Sequence, residues 1–272
     1  MAEPKISIIT VCKNAENAIE RTMLSVVTQS CFEENIEYLI IDGASTDKTA
    51  EIIKQYANKY PIKWISEPDS GIYNAMNKGI KLATGDYLLF LNAGDYLIHY
   101  NVIKSLMNSL KNNDYDVVIG KILSIDPIAE RYQVIAENKR DACFLFDHSL
   151  PHQAMFYKKD LFQKFGFYDE NYSIIADSVF NKKIICVEHV SVKYVDHIIS
   201  AYFLDGISST NSDINFRERE TFQKSCFSEK ELQEIAKQHK REQTIKLRMK
   251  QKSVLRFLSK VFIKLHEFWV NR

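Results

Sequence analysis

The sequence predicts an α/β fold in which a mostly parallel sheet carries helices on both faces and is followed by C-terminal helices. Short runs of β-branched and other apolar residues alternate with segments whose apolar residues recur at helical spacing, and the connections between them are short. The strand runs are apolar without alternation, as in strands that are covered on both faces. With 272 residues, 46% of them hydrophobic, the chain is long enough for one large α/β domain with an appended tail.

Four strands and three intervening helices are predicted in the first hundred residues. The strands are ISIITV (6–11), IEYLIID (36–42), KWIS (63–66) and YLLFL (87–91). The helical stripes are formed by Ile19, Met23, Val26 and Val27, by Ala50, Ile53 and Ala57, and by Tyr73, Met76, Ile80 and Ala83. Ser45, Thr46 and Asp47 offer oxygens that can cap the second helix, and Asp47 is expected to do only that.

The second half shows fewer elements. A strand is predicted at AMFY (154–157), a helix over residues 159–165, and a further helix from Ser178 onward. Because strands alternate with helices through short connections in the first half, we expect the sheet there to be parallel.

Polar residues follow each of the four predicted strands. They are Lys13 and Asn14, then Asp42 and Gly43, then EPDSG (67–71), then NAGD (92–95). Ligands of parallel α/β sheets bind at the carboxyl ends of the strands, so these turns predict one site. Asp and Asn there can hold ribose hydroxyls, a base and a divalent cation, and glycines let a ligand approach the backbone. Taken singly, each turn is more simply explained by the turn propensity of these residues.

Three stretches together resemble the nucleotide-binding half of family 2 glycosyltransferases: ISIITVCKN, IIDGASTDKT and SEPDSGIYNAMNKGIKLATGDYLLFLNAGD. The resemblance is dense over residues 5–97 and continues more thinly to about residue 210. It implies the GT-A fold of nucleotide-diphospho-sugar transferases. It also implies that the protein transfers a sugar with inversion at the anomeric carbon.

The resemblance assigns donor-binding residues in this half. The aspartate that ends the second strand contacts the nucleotide base in the family, and here it is Asp42. The acidic loop before the third helix lines the nucleotide pocket, which implies the same for Asp69. Asn14 and Asn77 are the other predicted donor contacts.

The fourth strand departs from the family's Asp-x-Asp pattern. Where LDADD is usual this chain has LNAGD, so Asn92 and Gly94 replace the two aspartates. Asn92 can still bind a ribose hydroxyl, and Ala93 and Gly94 are expected to line the donor site. Asp95 is the predicted ligand of Mg²⁺ or Mn²⁺, with diphosphate oxygens and waters completing the shell. Such a cation would stabilise the charge that grows on the leaving nucleoside diphosphate. A weaker dependence on metal is the alternative.

An inverting transfer also needs a base that takes the proton of the attacking hydroxyl. The segment PHQAMFYKKDLFQKFGFYDENYSIIADSVFNKK (151–183) resembles the acceptor side of the family, where an acidic residue near a helix start is the base. This implies Asp177 as the base, with Ala176 where many members carry Glu. A role for Asp177 as the cap of the helix from Ser178 is compatible with that. His152 is predicted to face the sugar or the diphosphate, against the alternative of a structural histidine.

Three further features are additional or alternative candidates for the site. Asp169 is an alternative base, but its setting in GFYDENY favours a turn. LDGISS (204–209) resembles the family's Gly-Gly-x-Ser loop, with an aspartate in place of the first glycine, and leaves Gly206 and Ser208 as contacts. His197 is an alternative metal ligand.

The predicted domain division follows from the motifs and the charge. Residues 1–228 form the catalytic domain, with a nucleotide-binding half (1–98) and an acceptor half (99–228), and residues 229–272 form a basic amphipathic helical tail. Residues 237–272 carry 11 Lys and Arg against 2 Asp and Glu, whereas the rest carries 25 against 33. The tail is therefore basic and the body acidic.

The tail has an apolar face formed by Leu255, Leu258, Val261, Phe262, Leu265 and Trp269, with Arg256, Lys260 and Lys264 largely opposite. Such a helix is typical of segments that lie in the headgroup region of anionic membranes. Packing against the catalytic domain, or against a second copy in a homodimer, explains the pattern equally well. Nucleic acid is not an expected partner, because no stacking motif or recognised nucleic-acid module accompanies the basic charge.

These features lead to one expected function. The five cysteines are odd in number, scattered and without a CxxC pair, and no signal peptide or transmembrane run is evident, so we expect a cytoplasmic protein, peripheral on the inner face of the plasma membrane. We expect it to transfer a sugar from a nucleotide sugar, UDP-linked in the first instance, to a glycan or polyprenyl-linked acceptor in surface polysaccharide synthesis. A nucleotidyltransferase is disfavoured, because VCKNAENAIE after the first strand lacks glycine. The alternative is a non-catalytic nucleotide-sugar-binding or scaffold subunit with degenerate motifs.

Overall fold

The computed structural model describes residues 3–110, 114–126, 128–135, 149–204 and 211–226, together with Lys237 and Arg241. The strands are β1 (Ile6–Cys12), β2 (Ile36–Asp42), β3 (Ile62–Ser66), β4 (Tyr87–Phe90), β5 (Tyr96–Leu97), β6 (Val117–Asp126), β7 (Arg131–Ile135), β8 (Met155–Lys158) and β9 (Val192–Phe203). The helices are α1 (Ile19–Val27), α2 (Phe32–Asn35), α3 (Thr49–Ala57), α4 (Ile72–Leu82), α5 (Val102–Leu110), α6 (Asp160–Phe165), α7 (Ala176–Lys182) and α8 (Ser212–Cys226). A 3₁₀ turn (His152–Ala154) precedes β8, and a π-helical turn (Lys183–Val187) continues α7.

The nine strands of the described ranges belong to one sheet in the order β3-β2-β1-β4-β8-β6-β9-β5, with β7 paired on β6. The pairs β1–β2, β2–β3 and β1–β4 are parallel, as predicted. β8 is antiparallel to both β4 and β6. The chain runs from β1 outward to β2 and β3, and then returns to place β4 on the other side of β1. This reversal of strand order beside β1 is the position where open α/β sheets bind their ligands.

The sheet separates two hydrophobic layers. Along β1, Ile6 and Ile8 pack into one layer and Ile9 and Val11 into the other. The first layer includes residues of α1, α3 and α5, and the second includes residues of α4, α6 and α7. Because both faces are covered, β1 and β2 are buried along their whole length. The predicted α/β class, with helices on both faces, is confirmed.

Helix α4 lies close to the sheet, which matters for the site because its first turn carries Tyr73. Gly79 allows this approach: a Cβ atom at that position would lie 2.4 Å from Cγ2 of Ile9 on β1. A larger side chain would push the helix away from the strand.

Two predicted details need correction. α7 begins at Ala176, two residues before the predicted start, and its N-cap residue is Ile175. Asp177 is therefore in the first turn and is not the N-cap. The long strands β6 and β9 were not predicted. β9 mixes buried, half-buried and exposed positions and so lacks an uninterrupted apolar run.

Contacts between residues divide the chain into two compact units, Met1–Arg219 and Glu220–Arg272. The predicted division after residue 228 stays a prediction, and the predicted amphipathic face of the tail lies outside the described residues. Within the described ranges, none of the helices is both long enough and apolar enough to cross a bilayer.

Candidate active site

The polar turns that follow the parallel strands lie along one edge of the sheet. Cys12 is paired with Asp42, and Asp42 with Ser66, in the parallel registers of β1, β2 and β3. On the other side of β1, the N–H of Ala93 donates to the carbonyl of Val11 over 3.1 Å. β1 lies between β2 and β4, so the turns after those two strands are separated by two strand spacings, about 10 Å. The predicted juxtaposition of these turns is thus present in the fold.

Asp42 ends β2 with its carboxylate wholly buried. Its Oδ1 accepts a hydrogen bond of 2.5 Å from Ser45 Oγ, and its Oδ2 accepts one of 2.6 Å from Ser66 Oγ and one of 3.1 Å from the Ser45 N–H. These bonds compensate for the burial of a carboxylate. They also join the turn after β2 to the end of β3.

Asp69 approaches the same turn from the loop after β3. A Cβ atom on Gly43 would lie 2.1 Å from Asp69 Oδ2 and 3.3 Å from Cδ of Lys13. The side chains of Lys13 and Asp69, which follow β1 and β3, therefore meet over Gly43, and a Cβ atom there would force the Asp69 carboxylate to move.

Asn14 organises the turn after β2 from the end of β1. Its backbone has a positive φ of 50°, and its Oδ1 accepts a 2.9 Å hydrogen bond from the Thr46 N–H. Its own N–H donates to Ser45 Oγ over 2.8 Å. Asp47 accepts from the N–H and the hydroxyl of Thr49, the first residue of α3, and from the N–H of Glu16. The N-cap residue of α3 is Lys48, so the prediction that Asp47 only caps this helix is wrong.

The NAGD turn after β4 is held by two residues of α1 that the sequence reasoning missed. Thr22 Oγ1 accepts from the Gly94 N–H over 2.9 Å and donates to the Asp95 carbonyl over 2.7 Å. Arg21 Nη2 donates to the Gly94 carbonyl over 2.7 Å, and its guanidinium lies 4.4 Å from the ring centroid of Phe203. Gly94 itself has a φ of +106°, a conformation that favours glycine over aspartate at this position.

Asn92 faces the acceptor half of the chain. Its Nδ2 lies 3.3 Å from Nε2 of His152. Its Oδ1 is buried and has no hydrogen-bond partner among the residues that the structure describes. A buried carbonyl oxygen without a partner is costly, so this atom is a candidate contact for a bound ligand.

His152 links Asn92 to Asp177. Its Nδ1 lies 3.0 Å from Asp177 Oδ2, and both side chains are largely buried. A carboxylate only accepts, so Nδ1 of His152 donates to Asp177, and in the neutral ring Nε2 then accepts from the amide of Asn92. His152 was predicted to face the sugar or the diphosphate; its ring nitrogens instead contact these two protein side chains.

Asp177 has a second donor in Tyr73, at the start of α4. The Tyr73 hydroxyl lies 2.8 Å from Asp177 Oδ1 and 2.5 Å from the carbonyl oxygen of Ile174. From the sequence, Tyr73 was predicted only as one of the apolar residues on the buried face of α4. The signal that could have found it is the hydroxyl that a tyrosine carries into a buried layer, where it needs a partner.

The pair of Asp177 and His152 has shifted pKa values. Burial alone would raise the pKa of Asp177, but the hydrogen bond and charge of His152 and the Tyr73 hydroxyl hold it below its usual range. Burial alone would lower the pKa of His152, but the hydrogen bond and charge of Asp177, together with the charge of Asp95, raise it. The contacts of His152 with Asn92 and with Asp177 connect the NAGD turn to Asp177.

Other predicted residues have structural partners. Asn77 is buried in α4, and its Nδ2 donates to the carbonyl of Tyr168 and to Glu170 Oε1, each over 2.9 Å. Both protons of the Asn77 amide are thus bonded within the protein. The structure therefore gives no support to the prediction that Asn77 contacts the nucleotide sugar. Asp169 Oδ1 accepts from the N–H and the side chain of Asn171, the turn that was favoured for it. His197 Nε2 lies 3.3 Å from Ser109 Oγ.

Two further predictions concern the closing loop and the metal. Residues 205–210, which contain Gly206 and Ser208 of the predicted closing loop, are outside the described residues. In the part of the chain that is described, no group of three or more His, Cys, Asp or Glu side chains could hold a metal ion. A metal here would therefore depend on ligands from the substrate and water as well as from the protein.

Residues 7–170 match the family model described as glycosyl transferase family 2. The chain is 30% identical over 223 residues to a PGL/p-HBAD biosynthesis glycosyltransferase of Mycobacterium bovis, which covers 80% of this chain and 85% of the relative.

Solved structures with the same fold include S. aureus TarS 1–349 in complex with UDP-GlcNAc, with a TM-score of 0.63 and 19% identity over 76% of this chain and 61% of that one. A mannosyltransferase of Pyrobaculum calidifontis in complex with GDP-Man and Mn²⁺ has a TM-score of 0.59 and 16% identity, over 80% of this chain and 61% of that one. The chain thus spans somewhat less than two thirds of each of these two structures.

The family match spans most of the domain that carries the site, the relative matches along most of its own length, and the solved structures have the GT-A fold. The chain therefore belongs to glycosyl transferase family 2, and it is a glycosyltransferase of the GT-A fold.

Proposed function

We propose that the protein is an inverting glycosyltransferase that moves a sugar from a UDP-linked donor to a glycan or polyprenyl-linked acceptor in surface polysaccharide synthesis. The observation that carries the proposal is the hydrogen-bonded series Asn92–His152–Asp177. It joins the strand-end turns, where a donor would bind, to a buried carboxylate suited to act as base.

The donor would bind along the edge formed by the turns after β1 to β4. Asp42 and Asp69 would contact the nucleoside, and Asn14 would support the turn between them. The unpartnered Oδ1 of Asn92 would accept a hydrogen bond from a ribose hydroxyl. Ala93 and Gly94 present little side chain, so the donor could approach their backbone closely. The complex of TarS with UDP-GlcNAc, a protein of the same fold, supports a UDP-linked sugar as the first donor to test.

The residues present fit a divalent cation that is held jointly with the donor. Asp95 would supply a carboxylate, and hard oxygen ligands suit Mg²⁺ or Mn²⁺. When bound, the cation would stabilise negative charge on the leaving diphosphate. The Mn²⁺ in the Pyrobaculum mannosyltransferase complex supports a divalent metal in this fold.

Asp177 would act as the base. The acceptor oxygen would attack the anomeric carbon from the side opposite the diphosphate, the bond to the diphosphate oxygen would break with its electron pair, and the hydroxyl proton would pass to the Asp177 carboxylate. His152 and Tyr73 would keep that carboxylate ionised and oriented. The anomeric configuration of the sugar would be inverted by this single displacement.

The place of action would be the inner face of the plasma membrane, with the basic tail on the headgroups. A homodimer that buries the apolar face of the tail is the competing arrangement. Neither arrangement alters the chemistry proposed for the site.

A donor panel tests the function. The purified chain is incubated with UDP- and GDP-sugars and Mn²⁺ or Mg²⁺, and release of nucleoside diphosphate is measured with and without EDTA. We expect release from one UDP-sugar, and we expect EDTA to suppress it. Binding of a donor without release from any of them would contradict this function and favour a non-catalytic nucleotide-sugar-binding subunit.

A further inference from the structure

We propose that Glu218 on α8 is a positioning residue that holds the segment in front of α7, and through it the carboxylate of Asp177. The inference rests on the proposed function, in which Asp177 is the base. Glu218 touches neither donor nor acceptor in this account; it acts through the backbone that carries Asp177.

Glu218 accepts three backbone hydrogen bonds from consecutive residues. Its Oε1 accepts from the N–H of Ser173 over 2.6 Å, and its Oε2 accepts from those of Ile174 and Ile175 over 3.0 and 3.2 Å. Ile175 is the N-cap residue of α7, and its own apolar side chain makes no capping hydrogen bond. Backbone donors near a helix start need partners, and a carboxylate from a distant helix supplies them here.

The same segment, residues 173–175, also contacts Tyr73, which is a hydrogen-bond partner of Asp177. The carbonyl oxygen of Ile174, whose N–H donates to Glu218, lies 2.5 Å from the Tyr73 hydroxyl. That hydroxyl lies 2.8 Å from Asp177 Oδ1. A shift of the Ile174 peptide would therefore move the Tyr73 hydroxyl, and it would also move Asp177 through the chain.

Arg219 connects α8 to Ser178, the residue that follows Asp177. Its Nη2 donates to Ser149 Oγ over 2.6 Å, and Ser149 Oγ donates to Ser178 Oγ over 3.1 Å. The family match ends at residue 170, so Glu218 and Arg219 lie beyond it. Glu218 and Arg219 thus link α8 to the residues before Asp177 and, through Ser149, to Ser178.

The charge of Glu218 is the property that a test should remove. A glutamine has one acceptor oxygen, and its amide nitrogen would face backbone N–H donors without bonding them. Glu218→Gln should therefore loosen residues 173–175 while keeping the size of the side chain. Glu218→Asp keeps the charge with a shorter reach and should retain part of the function. Glu220→Gln is the matched control, because Glu220 is exposed and pairs with Lys224 on the same helix.

The kinetic test uses the donor that the wild-type protein turns over. We expect Glu218→Gln to lower kcat about 10- to 100-fold with the KM for the donor unchanged, as for a misplaced catalytic group. Glu218→Asp should lie between this variant and the wild type, and Glu220→Gln should match the wild type. In the Asp177→Asn background, Glu218→Gln should have no further effect, because it acts through that carboxylate. Wild-type kcat in Glu218→Gln, or a full additional loss in the double variant, would overturn the proposal.

A second measurement does not depend on activity. Hydrogen exchange of the amides of residues 173–175 should be faster in Glu218→Gln than in Glu220→Gln and in the wild type. Unchanged exchange would overturn the proposal even if no donor were found. Faster exchange in a protein that turns over no donor would support the anchoring of this segment and would count against the proposed function alone.

Discussion

At the scale of single residues, the central feature is a carboxylate kept ionised in a buried setting. Asp177 has a hydrogen-bond donor on each oxygen, His152 on one and Tyr73 on the other. These donors lower its pKa, so the base is in its ionised form before an acceptor arrives. The same bonds fix its direction, which matters for a base that must reach one hydroxyl.

Asp177→Asn should abolish most of the transfer. The amide cannot take up the acceptor proton, so we expect kcat to fall about 10²- to 10⁴-fold with donor affinity kept. Steady-state kinetics and titration calorimetry with the donor measure the two effects. Asp169→Asn is the control, because Asp169 bonds within its own turn and should be dispensable. Near-normal turnover in Asp177→Asn would remove the assignment of the base.

His152 should make the stability of the protein depend on pH. Its folded-state pKa lies above the ordinary value of 6.5, so its stabilising contribution is complete below pH 6.5 and is lost as the pH rises through the folded-state pKa. Asp177 stays ionised throughout this range, because its pKa is lowered from 3.8. The difference in unfolding free energy between the wild type and His152→Gln should therefore shrink between pH 5.5 and pH 8.5. Urea unfolding at both values measures it, and an equal difference at both would contradict the pairing.

At the scale of elements, the site depends on turns that follow parallel strands. The register of β1, β2 and β3 brings Asp42 and Ser66 side by side, and Gly43 leaves room for Asp69. The NAGD turn depends in addition on α1, whose Thr22 and Arg21 bind its backbone. The helices thus position the turns, and the strands determine which turns meet.

Gly43→Ala should weaken donor binding. The new Cβ atom would lie 2.1 Å from Asp69 Oδ2, and this flexible side chain would have to turn away from its place. Loss of one hydrogen bond to a charged group costs about 1.5–3 kcal/mol, which corresponds to roughly 10- to 100-fold in affinity. Titration calorimetry with UDP or the preferred donor measures it. Ala44→Gly is the control, because Ala44 has a positive φ of 56° that glycine adopts freely. Equal affinity in Gly43→Ala would remove Asp69 from the nucleotide pocket.

At the scale of the whole molecule, charge is divided between an acidic body and a basic tail. Replacement of Arg256, Lys260 and Lys264 by Gln should weaken binding of the full chain to vesicles that contain phosphatidylglycerol. At about 1 kcal/mol for each basic residue, the loss should exceed 100-fold. Vesicle co-sedimentation measures it, with neutral phosphatidylcholine vesicles as the control. If the wild type does not bind the anionic vesicles, sedimentation equilibrium should show whether a homodimer forms instead.

Much of the first half of the fold could be predicted from the sequence, because apolar runs report burial on both faces directly. IEYLIID was predicted to be a strand over the residues that β2 occupies. β9 could not be recognised in the same way, since its positions vary irregularly between buried, half-buried and exposed. The start of α7 was also misplaced, because its N-cap residue is an isoleucine, which has no side-chain acceptor, and the N–H of that residue donates to Glu218, more than 40 residues further along the chain.

The fold class, the family and the polar turns at the strand ends could all be predicted from the amino-acid sequence, because each depends on local patterns of a few residues. The three-dimensional structure was needed to show which side chains share hydrogen bonds: Asn92 with His152, His152 and Tyr73 with Asp177, and Glu218 with the segment before α7. Such contacts join residues that lie 25 to 104 positions apart. Local periodicity reports burial and direction along one element, whereas a hydrogen bond between elements depends on how they pack.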